Sequence, residues 1–258
     1  MAKRFWAIVL AADRRGEENV VASHAAVSAK VLAPVAGVPM LFRVLEALTG
    51  SGQVERTLLV APPEVVQLSK KRFPVEGVPP APSITGSVER AFAEIPRPVP
   101  VLVTTGDNAL LQTETVDQFL TATPPAADLA VGLVSYRALK ARFPETKRTT
   151  IDLADGPFCS CNLYAFLTPK GREVVKLWRG VEKDRKRPWK YLGHFDLKGL
   201  ALYLVGRLSS GEARERIYRR LGVDAAFILL HQVEVAIDVD TIDDLRLADR
   251  IVKARSPT

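Results

Sequence analysis

Basic and acidic side chains follow the first apolar segment of this 258-residue chain, where they could bind phosphate groups. Asp13, Arg14 and Arg15 end that segment, and Lys30 comes shortly after them. Arginine can hold a phosphate through two parallel hydrogen bonds, whereas lysine acts on it as a point charge. A solvated loop with scattered charge is the alternative interpretation of this stretch.

Two aspartates further along the chain are candidate ligands of a magnesium ion. Asp107 follows the apolar segment Val99–Thr105 and a glycine, and Asp240 lies close to the carboxyl terminus. Mg²⁺ commonly binds one or two carboxylates together with substrate phosphates. A turn closed by the aspartate side chain would explain Asp107 equally well. Asp243 and Asp244 are expected in the first turn of a helix, where the helix dipole alone favours acidic residues.

The cysteines and histidines predict no second chemistry. Cys159 and Cys161 have no further cysteine or histidine cluster near them, so we do not expect zinc. The three histidines are scattered and lack a neighbouring nucleophile, which gives a hydrolase triad no support. They are His24, His194 and His231.

The elements that must position these residues read as alternating strands and helices. The apolar run that begins at Phe5 enters the charged loop without polar alternation, which is typical of a strand buried on both faces of a parallel sheet. Further strands are expected over Thr57–Ala61, Val99–Thr105, Asp128–Val134, Thr149–Leu153, Cys159–Phe166 and Val233–Ile237, with a short one inside Pro74–Pro82. Helices are expected over Pro39–Gly50, Glu64–Phe73, Ser87–Ile95, Thr113–Thr121, Pro169 to about Lys186, Lys198–Leu208, Glu212–Leu221 and Thr241–Ala254.

This alternation predicts an α/β fold with a doubly wound, mostly parallel sheet. Ligands of such sheets bind beyond the carboxyl ends of the strands, where Asp13 and Asp107 are expected. Thr113 and Thr241 are the expected caps of their helices. The chain shows no internal repeat or long linker, so we expect one domain over residues 1–258. A helical elaboration over 169–221 would occupy its carboxyl-terminal third.

Composition limits the partners of the protein. Hydrophobic residues make up 47% of the chain and charged residues 25%, which is ordinary for a folded globular protein. We expect no membrane span and no signal peptide, and two cysteines without a disulfide framework favour the reducing cytoplasm. The formal charge of +7 points to an anionic partner. The basic residues form no stripe with interleaved aromatics, so phosphorylated small molecules are favoured over nucleic acid.

Taken together, these motifs resemble the MobA-like nucleotidyltransferases, which share a Rossmann-like fold of the glycosyltransferase-A type. The resemblance rests on Leu10-Ala11-Ala12, on Lys30, on the Pro-Val-Ala-Gly-Val-Pro-Met-Leu segment 34–41, on the strand that ends in Gly106-Asp107, and on Asp238–Leu245. Gly86-Ser87-Val88 is similar to a serine-valine pair that cytidylyltransferases of this fold place near the base. The chain departs from the family at Asp13, which stands where the family has its first loop glycine.

The resemblance implies transfer of a nucleoside monophosphate from an NTP to a phosphorylated small-molecule acceptor, with release of pyrophosphate. It implies Mg²⁺ between Asp107 and Asp240, and Lys30 as the cation on the triphosphate. CTP and GTP are the favoured nucleotides. The remaining residues of the nucleotide site would be Leu10, Ala11, Ala12, Asp13, Arg14, Arg15 and Ser87. On the acceptor side we expect Asn162, Lys186 and Arg187.

Two alternatives are carried forward. A catalytically altered nucleotide-binding or scaffold homologue would account for the changed loop at Asp13. A sugar-transferring enzyme of the same fold generally has an Asp-x-Asp motif in mid-chain, where this chain has Gly106-Asp107-Asn108. A homodimer is compatible with either interpretation.

Overall fold

The computed structural model describes residues 4–13, 19–96, 99–183 and 197–255. In chain order the strands are β1 (Phe5–Leu10), β2 (Pro34–Val35), β3 (Val38–Pro39), β4 (Val54–Val60), β5 (Val75–Val78), β6 (Val101–Thr105), β7 (Leu129–Ser135), β8 (Ile151–Leu153), β9 (Gly156–Phe166) and β10 (Ala225–Leu229). The helices are α1 (Val20–Ala25), α2 (Met40–Gly50), α3 (Pro63–Lys70), α4 (Ile84–Ala93), α5 (Thr113–Ala122), α6 (Tyr136–Arg142), α7 (Pro169–Lys183), α8 (Leu197–Leu204), α9 (Ser210–Leu221) and α10 (Ile242–Arg255).

The main sheet has the order β10-β7-β9-β6-β1-β4-β5, with β8 added against β9. β1 pairs in parallel with β4 and β6, β4 with β5, and β7 with β10. β9 runs antiparallel to β6, β7 and β8. The mostly parallel, doubly wound α/β fold is therefore confirmed.

The central position predicted for the first apolar run is also confirmed. Phe5, Ala7 and Val9 enter one apolar core with residues of α2, α5 and α10. Trp6 and Ile8 enter a second core on the other face of the sheet, with residues of α4 and α7. Because both faces of β1 are covered, its sequence can be apolar without alternation.

The segment 34–41 forms a hairpin that leads into α2. β2 and β3 pair through the two residues Ala36 and Gly37, whose φ angles are +47° and +77°. Positive φ at both positions is the geometry of a two-residue type I′ turn. The carboxylate of Asp249 accepts the N–H of Ala36 at 2.7 Å, which ties the hairpin to α10.

Two secondary-structure predictions near the carboxyl terminus are wrong. Val233–Ile237 is not a strand: Val233–Ala236 forms a buried 3₁₀ helix, in which the N–H of Ile237 donates to the carbonyl of Glu234. The strand beside β7 is instead β10, whose apolar run precedes this segment. Because that edge of β7 is paired with β10, residues 233–237 pack against β7 and β9 without joining the sheet. Glu234 forms ion pairs with Arg142 and Arg255.

Two details of the helices also differ from the predictions. Thr113 does not cap α5: Gln112 precedes the helix without a side-chain cap, and the Thr113 hydroxyl donates to the carbonyl of Ala47. α4 begins at Ile84, three residues earlier than predicted, because Ser83 caps it by accepting the N–H of Gly86.

The predicted helical elaboration contains α7, α8 and α9 in its described part. The helix expected to run to about Lys186 is described as far as Lys183. None of the helices in the described part of the chain combines the length and apolar character needed to cross a bilayer.

Candidate active site

The carboxyl ends of β1, β4 and β6 lie side by side at one edge of the sheet. The N–H of Gly106 donates to the carbonyl of Leu10 at 2.8 Å, and the N–H of Ala11 donates to the carbonyl of Val60 at 2.9 Å. These backbone groups of Leu10 and Ala11 therefore belong to the sheet and are not available to a ligand. Ala12 is exposed just beyond them.

Asp13 and Lys30 meet directly beyond β1. The carboxylate of Asp13 accepts the backbone N–H of Lys30 at 2.9 Å. Lys30 begins a one-turn 3₁₀ helix whose preceding residue, Ala29, provides no side-chain cap. Asp13 thus supplies the acceptor that this turn otherwise lacks.

The side chain of Lys30 joins two aspartates that are distant from it in sequence. Its Nζ lies 2.5 Å from Oδ2 of Asp107 and 2.8 Å from Oδ1 of Asp240. The side chains of Lys30 and Asp107 are 13% and 14% exposed, whereas that of Asp240 is 61% exposed. The cluster therefore consists of a largely buried pair, Lys30 and Asp107, and one carboxylate that faces solvent.

Opposing effects act on the charge of Lys30. Burial tends to lower its pKa, but the charges and hydrogen bonds of Asp107 and Asp240 outweigh burial and raise the pKa above its ordinary value. The lysine is therefore a permanent cation near neutral pH. One cation between two carboxylates leaves the cluster with an excess negative charge that could be balanced by a metal ion.

Close packing positions Asp107. A Cβ atom at Gly106 would lie 3.0 Å from the side chain of Ala11, and 3.1 and 3.2 Å from Val31 and Leu41. Only glycine fits this approach without displacing neighbours. On the following side, the fully buried Asn108 donates its amide to the carbonyl of Cys161 at 2.9 Å, which anchors the turn to β9.

A capped helix start positions Asp240. The Thr241 hydroxyl accepts the N–H of Asp244 at 3.1 Å, so the predicted capping role of Thr241 is confirmed. In return, Oδ2 of Asp244 accepts the N–H of Thr241 at 2.9 Å. The two aspartates in the first turn of α10 therefore differ. The carboxylate of Asp244 organises the turn, whereas the side chain of Asp243 is 93% exposed.

Asp238 lies behind Asp240 in a more enclosed environment. Its carboxylate accepts a hydrogen bond from Arg148 at 2.8 Å and one from the Asn162 amide at 3.3 Å. Burial raises the pKa of Asp238 to about 6; Arg148 acts against this rise, and the charges of Asp107 and Asp240 add to it.

Asn162 lies where β9 bulges. The register between β7 and β9 shifts between Val131 and Leu133, and Asn162 has a φ of +52°. Asparagine tolerates this left-handed conformation better than most residues. The bulge directs its amide to Asp238 at the same edge of the sheet, which accounts for a polar residue inside an apolar strand.

The carboxylates at this edge fit a magnesium ion. Oδ2 of Asp107 bonds Lys30, while Oδ1 is buried and accepts no hydrogen bond from the residues that the structure describes. Asp240 offers a second, largely exposed carboxylate. Over the described ranges, no three His, Cys, Asp or Glu side chains are grouped so that they could hold a metal. Mg²⁺ binds one or two protein carboxylates and completes its shell with water and phosphate, so Asp107 and Asp240 could hold it.

Ser87 lies away from this cluster, in the first turns of α4. It is buried, and its hydroxyl accepts the N–H of Ala81 at 2.9 Å. This bond holds the segment between β5 and α4 against the helix. Since the carboxyl end of β5 adjoins that of β4, Ser87 lies along the same edge of the sheet as Asp13.

Several predicted site residues lie outside the described residues: Arg14 and Arg15 in the first loop, and Lys186 and Arg187 beyond α7. Sequence reasoning, in turn, missed Arg148. It lies in the non-periodic segment before β8, and nothing in its sequence neighbourhood marks it as a partner of Asp238.

Comparisons with known proteins identify a family and a shared fold. The family model described as a MobA-like NTP transferase domain matches residues 7–141, about half of the chain. That span includes Lys30, Ser87 and Asp107 and ends before Asp240. A search of curated proteins gave no significant match.

Solved structures extend the similarity over nearly the whole chain. A hypothetical transferase from Thermus thermophilus is 34% identical, with a TM-score of 0.79 over 94% of this chain and 99% of that one. CMP:2-keto-3-deoxy-manno-octonic acid synthetase complexed with CTP is 14% identical, with a TM-score of 0.61 over 98% and 100% of the two chains. 4-Diphosphocytidyl-2C-methyl-D-erythritol synthase from Anaerococcus prevotii is 13% identical, with a TM-score of 0.58 over 98% and 100%. The last two show a shared fold.

Proposed function

The chain belongs to the MobA-like NTP transferase family, and on this premise we propose that it transfers a nucleoside monophosphate from an NTP to a phosphorylated small-molecule acceptor in an Mg²⁺-dependent reaction. The observation that carries the proposal is the convergence of Lys30, Asp107 and Asp240. These three side chains come from distant parts of the sequence and meet beyond the carboxyl ends of β1 and β6, where α/β sheets of this type bind their ligands.

Lys30 is the group that would stabilise the departing pyrophosphate. Its ammonium is held by two carboxylates and its backbone by Asp13, so it is fixed before the substrate binds. A fixed cation in a partly buried site stabilises developing negative charge without reorganisation. The nucleotide would lie along the edge from Asp13 towards Ser87, with Ser87 on the side of the base.

Asp107 and Asp240 would hold the metal, Asp107 through Oδ1, which accepts no hydrogen bond from the described residues. Bound there, Mg²⁺ would polarise the α-phosphate and neutralise charge on the nucleotide and acceptor. Asp107 is anchored by close packing at Gly106, whereas Asp240 is carried by the capped turn at Thr241. The two carboxylates are thus held by independent parts of the fold.

The acceptor would attack through a phosphate oxygen. That oxygen forms a bond to the α-phosphorus while the bond from the α-phosphorus to the oxygen leading to the β-phosphate breaks, which releases pyrophosphate. A phosphate monoester has a second pKa of about 6 and is mostly dianionic at pH 7, so no general base is required. Asn162 and Asp238 lie on the side of the cluster away from β4 and β5, where the acceptor would bind.

We favour CTP or GTP as the nucleotide. Two solved structures of the same fold have names that include CMP and a diphosphocytidyl group, and one of them is a complex with CTP. Ser87 and its bond to Ala81 would shape the side of the site that meets the base. The four NTPs tested side by side will decide between the bases.

The test is pyrophosphate release from each NTP with Mg²⁺ and sugar phosphates or polyol phosphates as acceptors. Asp107→Ala and Asp240→Ala are each expected to lower the rate at least a hundredfold. Asp243→Ala is the matched control, because Asp243 lies three residues from Asp240 with an exposed side chain. Full activity of both variants would contradict the metal assignment, and no release by the unmodified protein with any pair would contradict the reaction.

One observation favours a second function, a nucleotide-binding homologue without catalysis. Asp13 places a carboxylate where the resembled family has a loop glycine, beside the expected triphosphate. A thermal-shift series with the four NTPs, with and without Mg²⁺, distinguishes the two. Binding that depends on Mg²⁺ and on one or two bases is expected of the enzyme, whereas binding without turnover of any acceptor favours the homologue.

We further propose that the protein acts in the reducing cytoplasm as a single domain. Cys159 and Cys161 are both buried free thiols, which suits that compartment. Cell fractionation tests the location, and one cooperative unfolding transition tests the single domain. Sedimentation velocity would show whether the protein is a monomer or a homodimer.

A further inference from the structure

Arg148 makes three hydrogen bonds to the loop that carries Asp240. It lies between α6 and β8, and its side chain is 10% exposed. Nη1 donates to the carboxylate of Asp238 at 2.8 Å, and Nη2 donates to the backbone carbonyl of Asp238 at 2.8 Å. Nη2 also donates to Oδ1 of Asp244 at 2.5 Å. One guanidinium therefore binds both ends of the segment 238–244. This segment comprises the turn before α10 and the first residues of that helix, and we refer to it as the loop 238–244.

Asp244 passes this restraint on to Asp240. While its Oδ1 bonds Arg148, its Oδ2 accepts the N–H of Asp240 at 3.3 Å, the N–H of Thr241 at 2.9 Å and the Thr241 hydroxyl at 2.7 Å. Asp244 is 14% exposed, so these bonds are partly shielded from water. The backbone of Asp240 is thus linked through one carboxylate to Arg148.

We propose that Arg148 is a positioning residue: it clamps the loop 238–244 and so fixes the carboxylate of Asp240 beside Lys30 and Asp107. The consequence for turnover rests on the proposed function, whereas the restraint on the loop does not. Arg148 acts through Asp238 and Asp244, and none of its hydrogen bonds reaches Lys30 or Asp107.

The chemistry of the clamp requires arginine. Its three acceptors are two carboxylate oxygens and a carbonyl, and a planar guanidinium meets them with two nitrogens in fixed geometry. A lysine ammonium is a point donor on a flexible stem and cannot span the same set. Asp240 is largely exposed and has little packing of its own, which makes an external restraint on its loop effective.

The first experiment measures amide hydrogen exchange in peptides that cover residues 238–245, in the unmodified protein and in Arg148→Ala. Exchange in these peptides is expected to quicken at least tenfold, with no change in peptides from β1. Arg250→Ala is the matched control: Arg250 also joins the segment before β8 to α10, through Glu145, but is 62% exposed and far along the helix from Asp240. Unchanged exchange in Arg148→Ala, or equal loosening in the control, overturns the clamp.

Asp244→Asn provides a second variant in case Arg148→Ala does not fold. It keeps the size of the side chain and removes the charge that Arg148 holds, and it is expected to loosen the same peptides. A folded Asp244→Asn protein with native exchange rates over 238–245 overturns the proposal. Melting curves of each variant show whether it is folded.

The second experiment separates positioning from general structural support. Arg148→Ala is expected to lower kcat at least tenfold with less than a threefold change in the KM of the NTP, and to weaken Mn²⁺ binding about tenfold. Arg148→Lys is expected to recover only a small part of both. Native kcat and Mn²⁺ affinity in a variant with a loosened loop overturn the link to Asp240. If the exchange difference appears but the unmodified protein shows no turnover and binds no Mn²⁺, the clamp stands and the proposed function is wrong.

Discussion

The carboxylate of Asp13 accepts the backbone N–H of Lys30, so the residue that replaces the resembled family's loop glycine holds the lysine of the site by its main chain. The bond joins two residues that are 17 positions apart in the sequence. It accounts for an acidic residue in a loop expected to bind phosphate, because this carboxylate already has a partner on the protein.

Asp13→Ala is expected to lower kcat/KM for pyrophosphate release about tenfold and to lower the melting temperature by several degrees. A hydrogen bond to a charged group contributes about 1.5–3 kcal/mol, and here its loss frees the turn that begins at Lys30. Steady-state kinetics and melting curves measure the two effects. Asp13→Asn keeps an acceptor oxygen and serves as the control; an Ala variant as active as the Asn variant would contradict this role.

Gly106→Ala is expected to cost about 1–3 kcal/mol in the free energy of unfolding, because the added methyl would press on Ala11, Val31 and Leu41. The turnover rate should fall by more than the loss of folded protein alone would explain, since Gly106 directly precedes Asp107. Chemical denaturation and turnover provide the measurements. Gly52→Ala is the control, because a Cβ there would meet no atom within 4 Å. Equal effects of the two substitutions would refute the packing argument.

The two thiols are expected to resist alkylation and disulfide exchange in the native protein. Burial raises the pKa of Cys159 to about 11, against which Arg148 acts, and burial also raises the pKa of Cys161. At pH 8 only about one Cys159 in a thousand would be a thiolate, and the thiolate is the reactive form. The alkylation rate of Cys159 should rise with pH up to about 11. Rapid reaction of both thiols before unfolding at pH 8 would disprove the expectation; guanidinium should release two thiols at once.

Two substitutions at Asn162 separate its backbone role from its side-chain role. Asn162→Ala places a residue with a Cβ atom and no local hydrogen bond at φ +52°, which costs about 1 kcal/mol, whereas Asn162→Gly meets no such strain. Both remove the amide that donates to Asp238. If this amide borders the acceptor, both variants should raise the KM of the acceptor by a similar factor, and the Ala variant should be the less stable of the two. An unchanged KM in the Gly variant would exclude Asn162 from acceptor binding.

The fold was largely predictable because the alternation of apolar strands and amphipathic helices is a local signal. The unalternating run from Phe5 to Leu10 and its central place in the sheet follow from burial on both faces. The failure at Val233–Ile237 is equally physical. An apolar run indicates that a segment is buried, but strand pairing also requires an unpaired strand edge. In this fold the edge of β7 is paired with β10.

The candidate site was predictable to the extent that its residues end strands or begin helices. Asp107 and Asp240 were identified by such positions, and Lys30 by its charge after the first loop and by the family resemblance. The structure brings the three side chains together. Arg148 was not identified, because it lies in irregular chain whose path depends on the tertiary structure. The bond from Asp13 to the Lys30 backbone was missed for the same reason: it joins two ends of a loop without periodicity.

The contact between Lys30 and Asp240 spans 210 residues of sequence, whereas that between Lys30 and Asp107 spans 77. The entropy of closing the longer loop exceeds that of the shorter by only about 1 kcal/mol, so equilibrium stability hardly registers the difference. Timing does. During synthesis Lys30 and Asp107 are both present well before Asp240, so the third member of the cluster is added late. Synthesis of the segment that precedes α10 is thus the step that supplies the last carboxylate.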